Sequence, residues 1–163
     1  MNPSGNALTY RRVVVGVDDT AGGLAALRRA VSLARDGQAQ LVAVRTWELG
    51  LPRHGGRRLR QGPRPRRVLF YNGVQQCMQS DTLVRQSLQT AAGALPADLP
   101  LTITTPRGDP AVVLTAMAAA DDLLVVGTGP HHAMKRLVHG SVSVYCRTHA
   151  RCPVVVVPPG ETR

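Results

Sequence analysis

Glycine and serine residues stand where this chain could bind a phosphorylated ligand. Gly127 and Gly129 follow an apolar run, and Gly140-Ser141 precedes a segment with helical character. Glycines let the backbone approach a ligand closely, and the free N–H groups and dipole at the start of a helix favour an anion. The Ser141 hydroxyl offers one more hydrogen bond to phosphate. These residues therefore predict the phosphate end of a binding site.

A second candidate group, Gly16-Val17-Asp18, ends the first apolar run of the sequence. The Asp18 carboxylate is suited to accept hydrogen bonds from a ribose or a base, and its charge repels bare phosphate. We therefore assign it to the nucleoside end of the site. Each residue also has a purely structural interpretation: Asp18 and Ser141 as helix caps, and Gly127 as the end of a strand.

The elements that must position these residues alternate along the chain. Apolar runs predict strands at 12–17, 39–46, 99–104, 122–127 and 153–157. Apolar spacing of three and four residues predicts helices at 20–36, at 70–94 with a break near Asp81, from Pro110, and at 141–150. Gly37 is the expected C-cap of the first helix, and Asp109 is the expected N-cap before Pro110.

Alternation of strands and helices predicts an α/β fold with a doubly wound, five-stranded parallel sheet of the Rossmann-like class. The simplest strand order is 3-2-1-4-5, which places the topological switch point between strands 1 and 4. Gly16-Val17-Asp18 and Gly127 then meet where such sheets bind ligands. With 163 residues, the chain is expected to form one domain over 1–163, with its core at about 11–158.

Most of the excess positive charge is local. The formal net charge is +10, seven arginines lie between Arg53 and Arg67, and no acidic residue lies between Glu48 and Asp81. We interpret 48–67 as a long, basic, flexible loop in an otherwise nearly neutral domain. The chain as a whole is therefore not expected to bind nucleic acid. The loop is either a solvated insertion or an attraction site for phosphate or an acidic partner.

Other chemistries find little support in the sequence. The three cysteines form no CxxC pair, and the side chains of the adjacent His131 and His132 diverge on most backbones. No metal site is therefore expected. Neither a G-x-S-x-G nor a P-loop motif occurs, so no catalytic residue is assigned. His131, Lys135 and Arg136 are either phosphate contacts or solvated loop charges.

The sequence has no apolar signal core and no membrane-length apolar run, so we expect a cytoplasmic location.

Three segments, taken in order, resemble the universal stress protein family. They are Val13-Val14-Val15-Gly16-Val17-Asp18-Asp19-Thr20, then Gly108-Asp109-Pro110 with Ala120–Gly127, and finally Gly140-Ser141-Val142-Ser143 with Cys152–Pro158. Together they extend over about 11–158. ATP-binding members of this family carry G-x2-G-x9-G-[ST] after the fourth strand. Gly127 and Gly140-Ser141 match that spacing, whereas Pro130 stands where the second glycine belongs, one residue after Gly129.

The resemblance implies ATP or a related adenine nucleotide, with Mg²⁺ as a candidate counter-ion, bound at Gly16, Asp18, Val44, Gly127, Gly129, Gly140 and Ser141. Val44 would contact the base through its backbone. Pro130 lacks an N–H and so removes one donor to phosphate. The family commonly pairs through its last strand, so the resemblance implies a homodimer paired through Val154–Val157. Such pairing would cover an apolar edge strand that, left bare, would favour aggregation.

The expected function is therefore an adenine nucleotide-binding regulatory module of the stress response, without efficient catalysis. Two alternatives remain open from the sequence. One is a scaffold that binds no nucleotide and acts on protein partners through the basic loop. The other is a slow ATPase with Asp18 as the candidate base.

Overall fold

The computed structural model describes residues 10–47, 66–128 and 142–160, without the side chains of 66–72. Within these ranges, five strands alternate with four helices. In chain order the elements are β1 (Arg12–Gly16), α1 (Ala21–Asp36), β2 (Gln40–Val44), α2 (Arg66–Ala92), β3 (Leu101–Thr104), α3 (Pro110–Met117), β4 (Leu123–Gly127), α4 (Val142–His149) and β5 (Val154–Val157).

The strands form one parallel sheet in the order β3-β2-β1-β4-β5, which confirms the predicted topology. Strand β1 is central: Val14 pairs with Val42 of β2 on one side and with Leu124 of β4 on the other. The chain turns from β3 back across the sheet to β4, so the switch point lies between β1 and β4, as predicted.

Consecutive valines build the core because side chains alternate between the two faces of a strand. Val13 and Val15 pack on the face covered by α1 and α2, together with Leu27 and Leu88. Val14 packs on the opposite face, with Leu114 of α3 and Cys146 of α4. Burial on both faces explains why the strands read as continuous apolar runs.

The helix boundaries follow from capping chemistry. Thr20 is the N-cap of α1, where its hydroxyl accepts a hydrogen bond from the backbone N–H of Gly23 at 3.0 Å. Gly37 is the C-cap of the same helix, as predicted. Asp109 caps α3 through hydrogen bonds from the N–H groups of Ala111 and Val112, and Pro110 occupies the first helical position.

The predicted break in the second helix near Asp81 is wrong, because α2 is continuous from Arg66 to Ala92. Asp81 strengthens the helix: its Oδ2 accepts a hydrogen bond from Arg85 Nε at 2.8 Å, one turn later. The helix also includes the last two residues of the predicted loop 48–67, Arg66 and Arg67. Residues 48–65 lie outside the described part of the chain.

A buried ion pair ties β1 to the start of β4 at the amino end of the sheet. Asp122 is 1% exposed, and its two oxygens accept hydrogen bonds from Arg12 Nε at 2.9 Å and Nη2 at 2.6 Å. The backbone N–H of Ala119 donates to the same carboxylate at 2.7 Å. Burial opposes ionisation of Asp122, but these hydrogen bonds outweigh it and lower the pKa of the carboxyl.

Within the described residues, no helix is long and apolar enough to cross a membrane.

Candidate functional site

A cavity of about 190 Å³ opens at the carboxyl ends of the central strands. Its strand-end lining comes from Gly16 and Val17 after β1, Val44 at the end of β2, and Val126 and Gly127 at the end of β4. The cavity therefore lies at the switch point, where the end of β1 faces the end of β4. Its volume is below the roughly 300–1,000 Å³ typical of small-molecule pockets.

The other side of the cavity is apolar and comes from the helices of one sheet face. Pro110 and Leu114 of α3 line it, together with Val142 at the start of α4. Leu114 also packs under Gly16, where a Cβ atom would lie 2.9 Å from the Leu114 Cδ1 atom. The absence of a side chain at Gly16 thus leaves room for Leu114 to form the wall of the cavity.

Four of the seven residues predicted for the site line this one cavity: Gly16, Asp18, Val44 and Gly127. The fold brings them together from three strands that are distant in sequence. Their part in binding a nucleotide stays a prediction. The other three, Gly129, Gly140 and Ser141, lie outside the described residues, as do Pro130, His131, Lys135 and Arg136.

The Asp18 carboxylate is held in place by the first turn of α1. Its Oδ1 accepts hydrogen bonds from the Thr20 backbone N–H at 3.0 Å and from the Thr20 hydroxyl at 2.6 Å. Thr20, not Asp18, is the N-cap residue, so Asp18 supports the cap from two residues before it. No described residue donates a hydrogen bond to Oδ2, which leaves this oxygen available to a ligand.

Gly23 makes room for that carboxylate. A Cβ atom at Gly23 would collide with Asp18 Oδ1 and lie 2.9 Å from Asp18 Cγ. The pair Gly22-Gly23 therefore has a steric reason that the sequence analysis did not recognise. Both glycines lie in the first turn of a helix, where glycine is otherwise unfavourable by about 1 kcal/mol relative to alanine.

The backbone of Val44 is already engaged with its neighbours. Its carbonyl oxygen accepts a hydrogen bond from the Val17 N–H at 2.8 Å, and the next N–H, of Arg45, donates to the Thr104 carbonyl at 3.1 Å. A carbonyl oxygen has two lone pairs, so one further hydrogen bond from a base is still possible at Val44. These two hydrogen bonds fix the position of the end of β2 at the cavity.

Arg45 and Thr46 also line the cavity and were missed by the sequence analysis. Arg45 Nη1 and Nη2 donate to the two carboxylate oxygens of Asp19, at 3.0 and 2.8 Å. The ion pair joins the end of β2 to the loop before α1, at the mouth of the cavity. A signal was present, because both residues directly follow Val44, at the strand end where a ligand was expected.

A metal centre has no support in the three described ranges, where no group of three or more His, Cys, Asp or Glu side chains could hold an ion.

The sequence matches the universal stress protein family over residues 9–158. Among curated proteins the chain has no significant match. Among solved structures it is similar to the universal stress protein UspA from Lactobacillus plantarum, with 25% identity, a TM-score of 0.65, and coverage of 93% of this chain and 99% of that one.

Two further structures share the fold at lower identity. A universal stress protein in complex with cAMP is 21% identical, with a TM-score of 0.60 and coverage of 93% of this chain and 99% of that one. A family member from Burkholderia pseudomallei is 23% identical, with a TM-score of 0.56 and coverage of 94% and 99%. The family match extends over nearly the whole chain, and the sheet order and the switch-point cavity agree with it. The chain belongs to the universal stress protein family.

Proposed function

We propose that this chain binds an adenine nucleotide in the cavity between the ends of β1, β2 and β4, and acts as a regulatory module of the stress response. The observation that carries the proposal is the convergence of Gly16, Asp18, Val44 and Gly127 on one cavity at the switch point. Open parallel sheets bind ligands at that place because strand ends and helix starts present unpaired backbone groups there.

The lining suits the nucleoside half of such a ligand. Val17, Leu114 and Val126 offer apolar surface to a base, and the free Oδ2 of Asp18 can accept a hydrogen bond from a ribose hydroxyl. Hydrogen bonds to a charged acceptor contribute about 1.5–3 kcal/mol. Family membership supports the same assignment, since the similar universal stress protein noted above has been solved in complex with cAMP.

The finer assignment to ATP with Mg²⁺ depends on Gly129, Gly140 and Ser141, which we expect to contact the phosphates. Pro130 removes one N–H donor from that segment, so we expect binding to depend less on the number of phosphates than it does in a site with the full glycine motif. AMP, ADP and ATP should then bind with similar affinity, and Mg²⁺ should change the affinity for ATP only modestly.

Isothermal titration of the folded protein with AMP, ADP, ATP and cyclic AMP tests the proposal, with and without Mg²⁺. We expect saturable binding of at least one nucleotide, weakened about tenfold by Asp18→Asn through loss of a charged acceptor. The matched control is Asp121→Asn, an exposed carboxylate that precedes β4 at the amino end of the sheet. Absence of binding of all four nucleotides at millimolar concentration would overturn the proposal.

Regulation by binding, without efficient catalysis, is the role we propose. A slow ATPase would need a base for the attacking water, and among the described lining residues Asp18 is the candidate carboxylate. Phosphate release from ATP, compared between the wild type and Asp18→Ala, separates the two roles. Hydrolysis that is abolished by the substitution while ATP still binds would favour the ATPase.

We also propose a homodimer paired through β5 and a cytoplasmic location. Strand β5 is an edge of the sheet, paired with β4 on one side. Val154, Val155 and Val156 are only partly buried there, and pairing with a second copy would cover them. Cys77, Cys146 and Cys152 are free, which agrees with a reducing compartment.

A further inference from the structure

We propose that Arg45 is the base-stacking residue of this cavity: its guanidinium stacks on the base of the bound nucleotide, and Asp19 holds it in the orientation that allows this. The inference rests on the proposed nucleotide site and adds the means by which the base is recognised. It is based on four observations: which residues line the cavity, how Arg45 is held in position, which part of its guanidinium pairs with Asp19, and which charges lie nearby.

The first observation is what the cavity offers to a flat aromatic ring. Its described lining contains no aromatic side chain, and its apolar part consists of Pro110 and aliphatic residues. Among these residues the Arg45 side chain alone carries a planar cation. Guanidinium groups stack on aromatic faces because their charge is delocalised over a flat and weakly hydrated surface. In this lining, Arg45 is therefore the group best suited to contact the face of a base.

The second observation is that Arg45 is fixed at both ends. Its backbone N–H donates to the Thr104 carbonyl at 3.1 Å and so continues the ladder between β2 and β3. Its side chain is 18% exposed, whereas that of Asp19 is 62% exposed, so the arginine lies inside the mouth and the aspartate outside it. A side chain fixed in this way loses little conformational entropy when a ligand binds.

The third observation concerns which part of the guanidinium remains available. Nη1 and Nη2 both donate to Asp19, at 3.0 and 2.8 Å. A bidentate pair aligns the two groups in one plane and uses two of the five guanidinium N–H donors. The flat face of the guanidinium is left for contact with a ligand.

The fourth observation is the charge of this corner of the cavity. Two carboxylates, Asp18 and Asp19, stand beside one arginine, so the described ionisable groups here carry a net negative charge. A phosphate would be repelled, whereas an uncharged base would not. The base therefore lies at the Arg45 end, and the phosphates lie toward Gly127.

The test compares AMP with adenosine, which has the same base and sugar but no phosphate. Arg45→Lys keeps the positive charge and removes the planar group, and Asp19→Asn removes the ionic clamp while Arg45 remains. Arg35→Lys is the matched control, since Arg35 forms a similar two-bond pair with Asp98, at 2.7 and 3.0 Å, outside the cavity lining. Affinities come from isothermal titration, and thermal melts verify that each variant is folded.

We expect Arg45→Lys to weaken AMP and adenosine by the same factor, about fivefold, because the lost contact is to the base. Asp19→Asn should weaken both by a smaller common factor, and Arg35→Lys should change neither. Unchanged affinity in Arg45→Lys would overturn the inference, and so would a loss seen with AMP alone, which would make Arg45 a phosphate contact.

If the wild type binds none of the adenine nucleotides, the proposed function fails and the inference fails with it. If the wild type binds AMP and Arg45→Lys binds it equally well, the inference alone fails.

Discussion

The backbone of Gly127 packs directly against the backbone of Gly22. A Cβ atom at Gly127 would collide with the Gly22 carbonyl group and lie 2.7 Å from the amide nitrogen of Gly23, and one at Gly22 would collide with the Thr128 carbonyl. The first turn of α1 therefore rests on the end of β4 with no space for a side chain between them. This contact holds the amino end of α1 beside the cavity.

Gly127→Ala is expected to destabilise the fold by about 3 kcal/mol, because the added methyl group meets backbone atoms that cannot rotate away. Urea unfolding followed by circular dichroism gives the free energy of unfolding. Gly93→Ala is the comparison: its φ is +77°, but nothing lies within 4 Å of the added atom. It should cost only about 1 kcal/mol of conformational strain. Equal effects of the two substitutions would contradict the close packing.

Arg12→Met is expected to destabilise the protein by about 3 kcal/mol at neutral pH, because it leaves the buried Asp122 carboxylate without its cation. The control is Arg35→Met, which breaks an ion pair whose side chains are both about half exposed, and it should have no measurable effect. Chemical unfolding of the three proteins measures the difference. A loss in Arg12→Met no larger than that in Arg35→Met would show that burial does not matter here.

The same pair predicts how stability depends on pH. The folded-state pKa of Asp122 lies below its ordinary value of 3.8, so the pair contributes its full stability well above that value, from about pH 5 upward. The contribution is lost as pH falls through the folded-state pKa. The difference in unfolding free energy between the wild type and Arg12→Met should therefore be constant from pH 7 to about pH 5 and narrow in more acidic solution. A difference in unfolding free energy that widens as the pH falls would contradict this prediction.

The three thiols should differ in reactivity. Burial raises the pKa of Cys146 to about 11, with smaller contributions from Cys152 and Asp109, and burial also raises the pKa of Cys152. At pH 8, roughly one Cys146 in a thousand is then a thiolate. Cys77 is half-buried, with its Sγ 3.0 Å from the Thr105 hydroxyl. Ellman's reagent should label Cys77 first in the folded protein and all three thiols after unfolding, and Cys77→Ser should remove the early phase.

Val156→Pro should separate the proposed dimer while the subunit stays folded. The carbonyls of Pro153 and Val157 accept hydrogen bonds from the N–H groups of Leu124 and Thr128, on the β4 side. Peptide directions alternate along a strand, so the Val156 N–H points to the open edge. Proline there removes a donor to a second copy and none to β4. Val155→Pro is the control, because it removes a donor that faces β4 and should destabilise the subunit. Light scattering after size exclusion reports the mass, and a monomeric wild type would contradict the dimer.

The order of the strands was predictable because the sequence carries its physical causes locally. Runs such as Val13-Val14-Val15 have too little polar surface for an exposed strand face, and alternation with helices requires parallel crossovers. The helix ends were predictable at Gly37 and Asp109, where one side chain or its absence decides the cap. The break expected near Asp81 was wrong because the bond to Arg85 one turn later, and the packing of Leu88 on the core, favour a continuous helix.

The sequence by itself determined the fold, the switch point and three residues of the cavity, Gly16, Asp18 and Gly127, since strand ends and glycines are readable from local pattern. The fourth, Val44, was implied by the family resemblance. Only the tertiary structure decided what surrounds Gly127 and Gly16: the carbonyl of Gly22 against one and the Leu114 side chain against the other. It also decided that Asp19, 26 positions before Arg45, clamps the guanidinium at the mouth of the cavity. Contacts of this kind join residues distant in the chain, so their partners depend on how helices pack on the sheet and not on any local pattern.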